Sequence, residues 1–154
     1  MIRSRVRAFA RSPCGDEVAT IQKFEELEAW RTARQLTRWI YRLCAAGPLE
    51  RDFGLKDQMR RAAVSIMSNI AEGFDSRTKP MFVEFLGRAK ASAGELRAQT
   101  YVALDVGYLT DSESERLLDE IDKCSRQIGR LMAYVANDQN ARTRERANGT
   151  RPRQ

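Results

Sequence analysis

The apolar positions of this chain recur at helical spacing in four separate blocks, and nothing in it alternates with a period of two. In the first block, from about Glu25 to Ala46, apolar or small residues fall at Ala29, Ala33, Leu36, Ile40 and Cys44, with Trp30 and Leu43 at the edges. Glu25, Glu26 and Glu28 lead and Arg38 and Arg42 follow, the charge order that the helix dipole favours. Gly47 and Pro48 interrupt the pattern. The second block places Leu55, Met59, Ala62, Ala63, Ile66, Ile70 and Gly73 on one side and is expected to end at Gly73. In the third, Pro80 suits a first helical turn, and the stripe to be buried is Phe82, Phe85, Leu86, Ala89, Ala93, Leu96, Thr100 and Ala103, closed by Gly107. The fourth opens with "TDSESE", which offers two overlapping capping boxes, Thr110 with Glu113 or Ser112 with Glu115. Leu117, Ile121, Cys124, Ile128, Leu131 and Val135 follow at alternating steps of four and three, a heptad seam.

Four amphipathic helices joined by short connections predict an all-α fold, an antiparallel up-down four-helix bundle over residues 21–136. At 154 residues and 42% hydrophobic, the chain is long enough to bury a core without a metal or disulfide staple. Its three cysteines, Cys14, Cys44 and Cys124, are too widely and unevenly spaced for a disulfide framework or a zinc site. That usage suits a reduced, cytoplasmic protein. No stretch of eighteen apolar residues occurs, and the first residues lack an apolar signal region, so neither a membrane span nor a signal peptide is expected.

The formal charge of +6 sits mainly at the two ends. Residues 1–20 carry net +2 and residues 137–154 net +3, leaving +1 for the bundle. These ends, "RSRVRAFARS" and "ARTRERANGTRPRQ", are poor in apolar residues and are expected to be disordered basic tails. Arg142, Arg144 and Arg146 are candidate contacts to nucleic-acid phosphate, where each neutralised charge adds salt-sensitive affinity. A merely solubilising flank is the alternative. Inside the bundle, Arg31, Arg34, Arg38 and Arg42 run at steps of 3, 4 and 4 along the back of the first helix, a stripe that could track phosphates with Trp39 as a stacking face at its border. The same stripe could instead be a solvated face paired with acids.

Two strips of small residues raise a different question. On the second helix Arg61, Ser65, Ser68 and Glu72, and on the third Gly87, Ala91, Gly94 and Ala98, each recur at steps of 4, 3 and 4 on the side away from the predicted core. Helical glycine costs roughly 1 kcal/mol relative to alanine, so two on one line suggest that another backbone approaches there. The charged residues between them forbid a membrane span, so both strips are candidate contacts between subunits of a homo-oligomer.

Catalysis finds little footing. The chain has no histidine, which removes Ser-His and Cys-His pairs and the Glu-x-x-His ligands of diiron bundles. No phosphate-binding Gly-rich loop or EF-hand loop is present. A site built from carboxylates alone, among Glu72, Glu84, Glu95 and Asp105, stays open, but pairing at an interface or in solvent suits those residues better. The expectation is a non-enzyme without cofactor or metal.

The segments "FEELEAWRTARQL", "LKDQMRRAAVSIMSNIAEGF" and "FVEFLGRAKASAGELRAQTYVALDVGYL", followed by the closing Leu/Ile heptads, resemble the four-helix-bundle proteins encoded in intervening sequences of bacterial 23S ribosomal RNA genes. The resemblance runs from about Phe24 to Val135 and leaves both Arg-rich ends unmatched. It implies a left-handed up-down bundle that assembles as a homopentamer, with no known enzymatic activity and an unsettled cellular role. It places signature positions at Arg60, Arg61, Ser68, Asn69, Glu72 and Gly73 and structural ones at Leu96 and Gly107. A related group, the accessory variability proteins of diversity-generating retroelements, implies a basic pentamer that binds a reverse transcriptase and its template RNA. Together these readings give a non-enzymatic homo-oligomeric adaptor that binds RNA or DNA, with a structural, protein-binding oligomer as the alternative.

Overall fold

The first helix begins later than its charge pattern suggests, because Leu27 takes an extended conformation (φ −67°, ψ 125°) that turns its side chain into the core. The computed structural model describes the backbone of residues 6–7 and 20–148 and the side chains of residues 21–137. Helix α1 spans Glu28–Leu43 and follows a 3-10 turn at Phe24–Glu26; a second such turn, Pro48–Glu50, leads into α2 (Phe53–Asp75). Helices α3 (Lys79–Asp105) and α4 (Asp111–Asn148) complete the fold. Val6–Arg7 also pairs with Thr20–Ile21 in a two-residue antiparallel ladder.

Local chemistry sets each helix end. After α1, Gly47 takes φ +68°, a conformation that side chains other than glycine rarely adopt, and Leu49 then enters the core. The Asp52 carboxylate caps α2 by accepting from the Leu55 N–H at 2.9 Å. Thr78 caps α3, with Pro80 in its first turn as expected. Gly107 (φ +76°) ends α3: its N–H donates to Leu104 O at 2.9 Å and the Tyr108 N–H to Ala103 O at 2.8 Å, the pairing of a Schellman motif. Of the two possible capping boxes before α4, the chain uses the first. Thr110 N–H donates to Glu113 Oε2 at 2.9 Å, and Glu113 N–H returns a bond to Thr110 Oγ1 at 3.2 Å.

Two further expected boundaries are corrected. Helix α2 runs past Gly73 to Asp75, because Gly73 serves helix packing and not termination. A Cβ there would meet Phe82 Cδ2 at 2.7 Å and Phe85 Cβ at 2.9 Å, so only a glycine lets α2 and α3 come this close. Helix α4 continues to Asn148, so residues 138–148, expected as part of a disordered tail, are helical. No glycine or proline interrupts the chain between Asn137 and Asn148, and propagation of a helix already nucleated by the bundle adds one hydrogen bond per residue.

The helices pack in a ring: α2 against α1 and α3, and α4 against α3 and α1. Their apolar stripes meet in one core, in which Ile40, Met59, Ile66, Ile70, Leu86, Leu96, Leu117, Ile121 and Ile128 are essentially solvent-free. Four polar links tie neighbours together. The Thr37 hydroxyl lies 3.0 Å from Ala63 O (α1 to α2), and Ser65 Oγ lies 2.8 Å from Ser92 Oγ (α2 to α3). Arg97 Nη1 lies 3.1 Å from Asp122 Oδ1 (α3 to α4), and Gln127 Nε2 donates to Glu28 Oε1 at 2.7 Å (α4 to α1). Cys44 and Cys124 are free and fully buried.

Candidate nucleic-acid interface

The arginine stripe predicted on α1 is real in three dimensions: Arg31, Arg34, Arg38 and Arg42 are all exposed. Arg31 Nε donates to the Glu25 carbonyl at 2.8 Å, which fixes the residue without neutralising it. The Arg34 guanidinium lies 5.6 Å from the centre of the Trp30 ring, and Trp30 is itself packed edge-on against Phe24. Among the described residues, none of these four arginines forms an ion pair, whereas Arg61, Arg88, Arg97 and Arg126 all do. A guanidinium that is not held in an ion pair is available to an external anion.

Beside this stripe, α1 and α2 border two adjoining open, shallow concavities of about 430 and 410 Å³ that share Tyr41 and Val64. Arg60 and Arg61 line the first and Arg38 and Arg42 the second; Asp57 is the one acid, and it pairs with Arg61 at 3.3 Å. The Arg60 guanidinium lies 4.8 Å from the Tyr41 ring centre, yet Tyr41 remains 46% exposed. Arg60 Nε is buried without a hydrogen-bond partner. Burial pushes the neighbouring Cys44 thiol up, while the Arg60 guanidinium pulls it back in part. At the end of the bundle a third concavity, about 490 Å³, is lined by Arg42, Trp39, Leu43, Leu49, Tyr108 and Glu113 among others. Trp39 is half-buried against the core, and burial together with Asp52 raises the Tyr108 hydroxyl's pKa.

Other predicted positions fall differently. Ser65 faces α3, where its hydroxyl meets Ser92 and also accepts from Asn69 Nδ2 at 3.0 Å, so it is engaged inside the subunit. Ser68 is half-buried, and Arg61 and Glu72 are exposed. On α3, Gly87 is half-buried while Ala91, Gly94 and Ala98 are exposed, and a Cβ added at Gly87 or Gly94 would meet nothing within 4 Å. Arg142, Arg144 and Arg146 ride on the helical extension of α4, their side chains outside the described residues. Among the described residues no group of three or more His, Cys, Asp or Glu side chains could hold a metal ion, and no helix is long and apolar enough to cross a membrane.

Sequence reasoning missed Tyr41 and the groove that α2 completes around it. The signal was present, since Tyr41 lies three residues after Arg38 and one before Arg42, on the same open face.

Residues 25–130 match the profile of the 23S rRNA-intervening sequence protein family over more than half the chain. The chain belongs to this family. No curated protein matches it. A crystal structure of a protein of unknown function from the S23 ribosomal protein family of Bacteroides thetaiotaomicron has the same fold, with a TM-score of 0.64 at 16% identity. The likeness covers 68% of this chain and 95% of that one. The matched segment takes in the α1 stripe and the Tyr41 groove, whereas Arg142, Arg144 and Arg146 lie outside it.

Proposed function

We propose that this family member is a non-enzymatic homo-oligomeric adaptor, pentameric, that binds structured RNA through the α1 arginines and its Arg-rich ends. The observation that carries the reading is the row Arg31, Arg34, Arg38 and Arg42, exposed and without ion-pair partners among the described residues. Assembly multiplies this row: five copies facing one RNA convert weak individual contacts into avidity, which is how a bundle of net charge +1 can hold a polyanion. The open Gly87/Gly94 strip of α3 favours the approach of a neighbouring backbone. In the most specific version the partner is a reverse transcriptase with its template RNA in a retroelement, in the bacterial cytoplasm. The pairings Thr37 with Ala63, Ser65 with Ser92 and Arg97 with Asp122 favour an antiparallel, up-down path, which the family resemblance extends to a left-handed bundle.

A second reading, a protein-binding oligomer without nucleic acid, is favoured by the exposed Tyr101, Val102 and Val106 at the end of α3, which are 44%, 48% and 54% accessible. Light scattering of the full chain alone and with RNA separates the readings. The first expects a particle several times 17.6 kDa that gains mass with RNA. A multimer that never takes up RNA supports the second, and a lone 17.6 kDa particle at micromolar concentration contradicts both.

A further inference from the structure

The three concavities are neighbours. The first two share Tyr41 and Val64, and Arg42 borders both the second and the third, so they follow one another from Arg61 on α2 to Tyr108 at the end of the bundle. Aromatic rings recur along it, with Tyr41 bordering the first two hollows and Trp39 and Tyr108 the third, and each hollow has at least one arginine at its rim.

A duplex makes poor use of such a surface. Its bases are stacked inside and its phosphates outside, so it would rest on the arginine ridge and leave the rings in the hollows untouched. A single strand presents phosphates and base faces together. The phosphates can follow arginines while the bases turn into hollows and stack on aromatic rings, an arrangement that needs no sequence preference. Tyr41 is prepared for this: Arg60 lies over its ring at 4.8 Å and steadies it, and the residue is still 46% exposed.

Resting on the RNA-binding reading above, we infer that the α1–α2 groove is a single-strand site, in which Tyr41 stacks an unpaired base while Arg38, Arg42 and Arg60 hold the flanking phosphates. The ligand class is therefore a loop or an unpaired segment of a folded RNA rather than its helical stems.

The test is anisotropy titration of the full chain with a labelled RNA of about 12 nucleotides, as a single strand and as a duplex, with polyglutamate as competitor. Wild type, Tyr41→Ala and Tyr41→Phe are compared at one salt concentration, after circular dichroism shows that each retains its helices. The single strand is expected to bind more tightly than the duplex. Loss of the ring in Tyr41→Ala should weaken the single strand by about 5- to 100-fold and leave the duplex nearly unchanged, while Tyr41→Phe restores the single-strand affinity. Equal binding of both RNAs, with no effect of Tyr41→Ala, overturns the single-strand site and leaves the RNA-binding reading standing. Polyglutamate displacing RNA at equal charge concentration also overturns it, and makes an acidic protein segment the occupant. No binding of either RNA removes both inferences.

Discussion

Gly73 and Phe82 meet so closely that a Cβ on the glycine would stand 2.7 Å from the ring's Cδ2. The Phe85 Cβ, 2.9 Å from the same point, belongs to the root of a side chain and can yield only if α3 moves. Gly73→Ala therefore forces the helices apart, at a cost of about 1–3 kcal/mol, against a gain in helix propensity of about 1 kcal/mol. The expected net effect is a destabilisation of up to about 2 kcal/mol, read as a lower denaturant midpoint at unchanged slope.

Gly87→Ala and Gly94→Ala should behave in the opposite way within a subunit. Nothing lies within 4 Å of a Cβ at either position, so each substitution gains up to about 1 kcal/mol of helix stability. If a neighbouring subunit lies against this strip, the same methyl groups loosen the assembly. Expected together are a higher unfolding temperature and a smaller fraction of oligomer on dilution, measured by calorimetry and light scattering.

The bond between Ser65 and Ser92 predicts a non-additive pair. Each single alanine substitution leaves one half-buried hydroxyl short of its partner and should cost about 0.5–1.5 kcal/mol. The double variant should cost clearly less than the sum, because no orphan then remains, and a double-mutant cycle by urea unfolding reads the coupling. Strict additivity would show that the two hydroxyls do not depend on each other.

Much of the fold was legible because each helix buries a stripe at regular spacing, and the stripes expected from the sequence are the ones that meet in the core, with Leu55, Phe85 and Leu131 only half-buried. Ends were harder. "ARTRERAN" looks like a tail by composition, yet it contains no helix breaker, and a helix started by the Leu117–Val135 seam runs on through it. A single helix wheel has one core direction and so turns Ser65 outward, whereas α2 has neighbours on two sides and Ser65 faces the second of them. The arginine stripe of α1 could be read from one helix alone. The groove could not, since Tyr41 of α1 and Arg60 of α2 meet only through the register of two helices separated by a turn.

The cap of α4 predicts a pH dependence. Thr110 donates both its backbone N–H and its hydroxyl to Glu113, and this holds the Glu113 carboxyl below its ordinary value of 4.5. A group with a depressed folded pKa adds stability that is present above its unfolded pKa and is lost as pH falls through the folded one. Helix stability should thus decline as pH falls below about 4.5, and Glu113→Gln should flatten that part of the profile followed by circular dichroism.

The buried thiols should be inert. Burial raises the Cys124 thiol to about 12 and shifts Cys44 upward as well, and both side chains are fully shielded. Since the thiolate is the reactive form, mass spectrometry after brief maleimide treatment at neutral pH should find at most one label on the folded chain, at Cys14. Denaturation should bring the number to three. Rapid labelling of Cys44 would mean that the end of α1 opens far more readily than its packing indicates.

The claim on which the functional account depends is that the α1 arginines hold RNA, and the salt dependence of binding tests it most directly. Between about 50 and 200 mM salt, the affinity of the full chain for a single-stranded RNA should fall with a slope in log–log form of about −0.7 for each phosphate neutralised. Arg38→Glu combined with Arg42→Glu should weaken binding and make that slope shallower by about 1.4 or more. Absence of binding at about 50 mM salt, or a slope and affinity untouched by the two substitutions, would contradict the account.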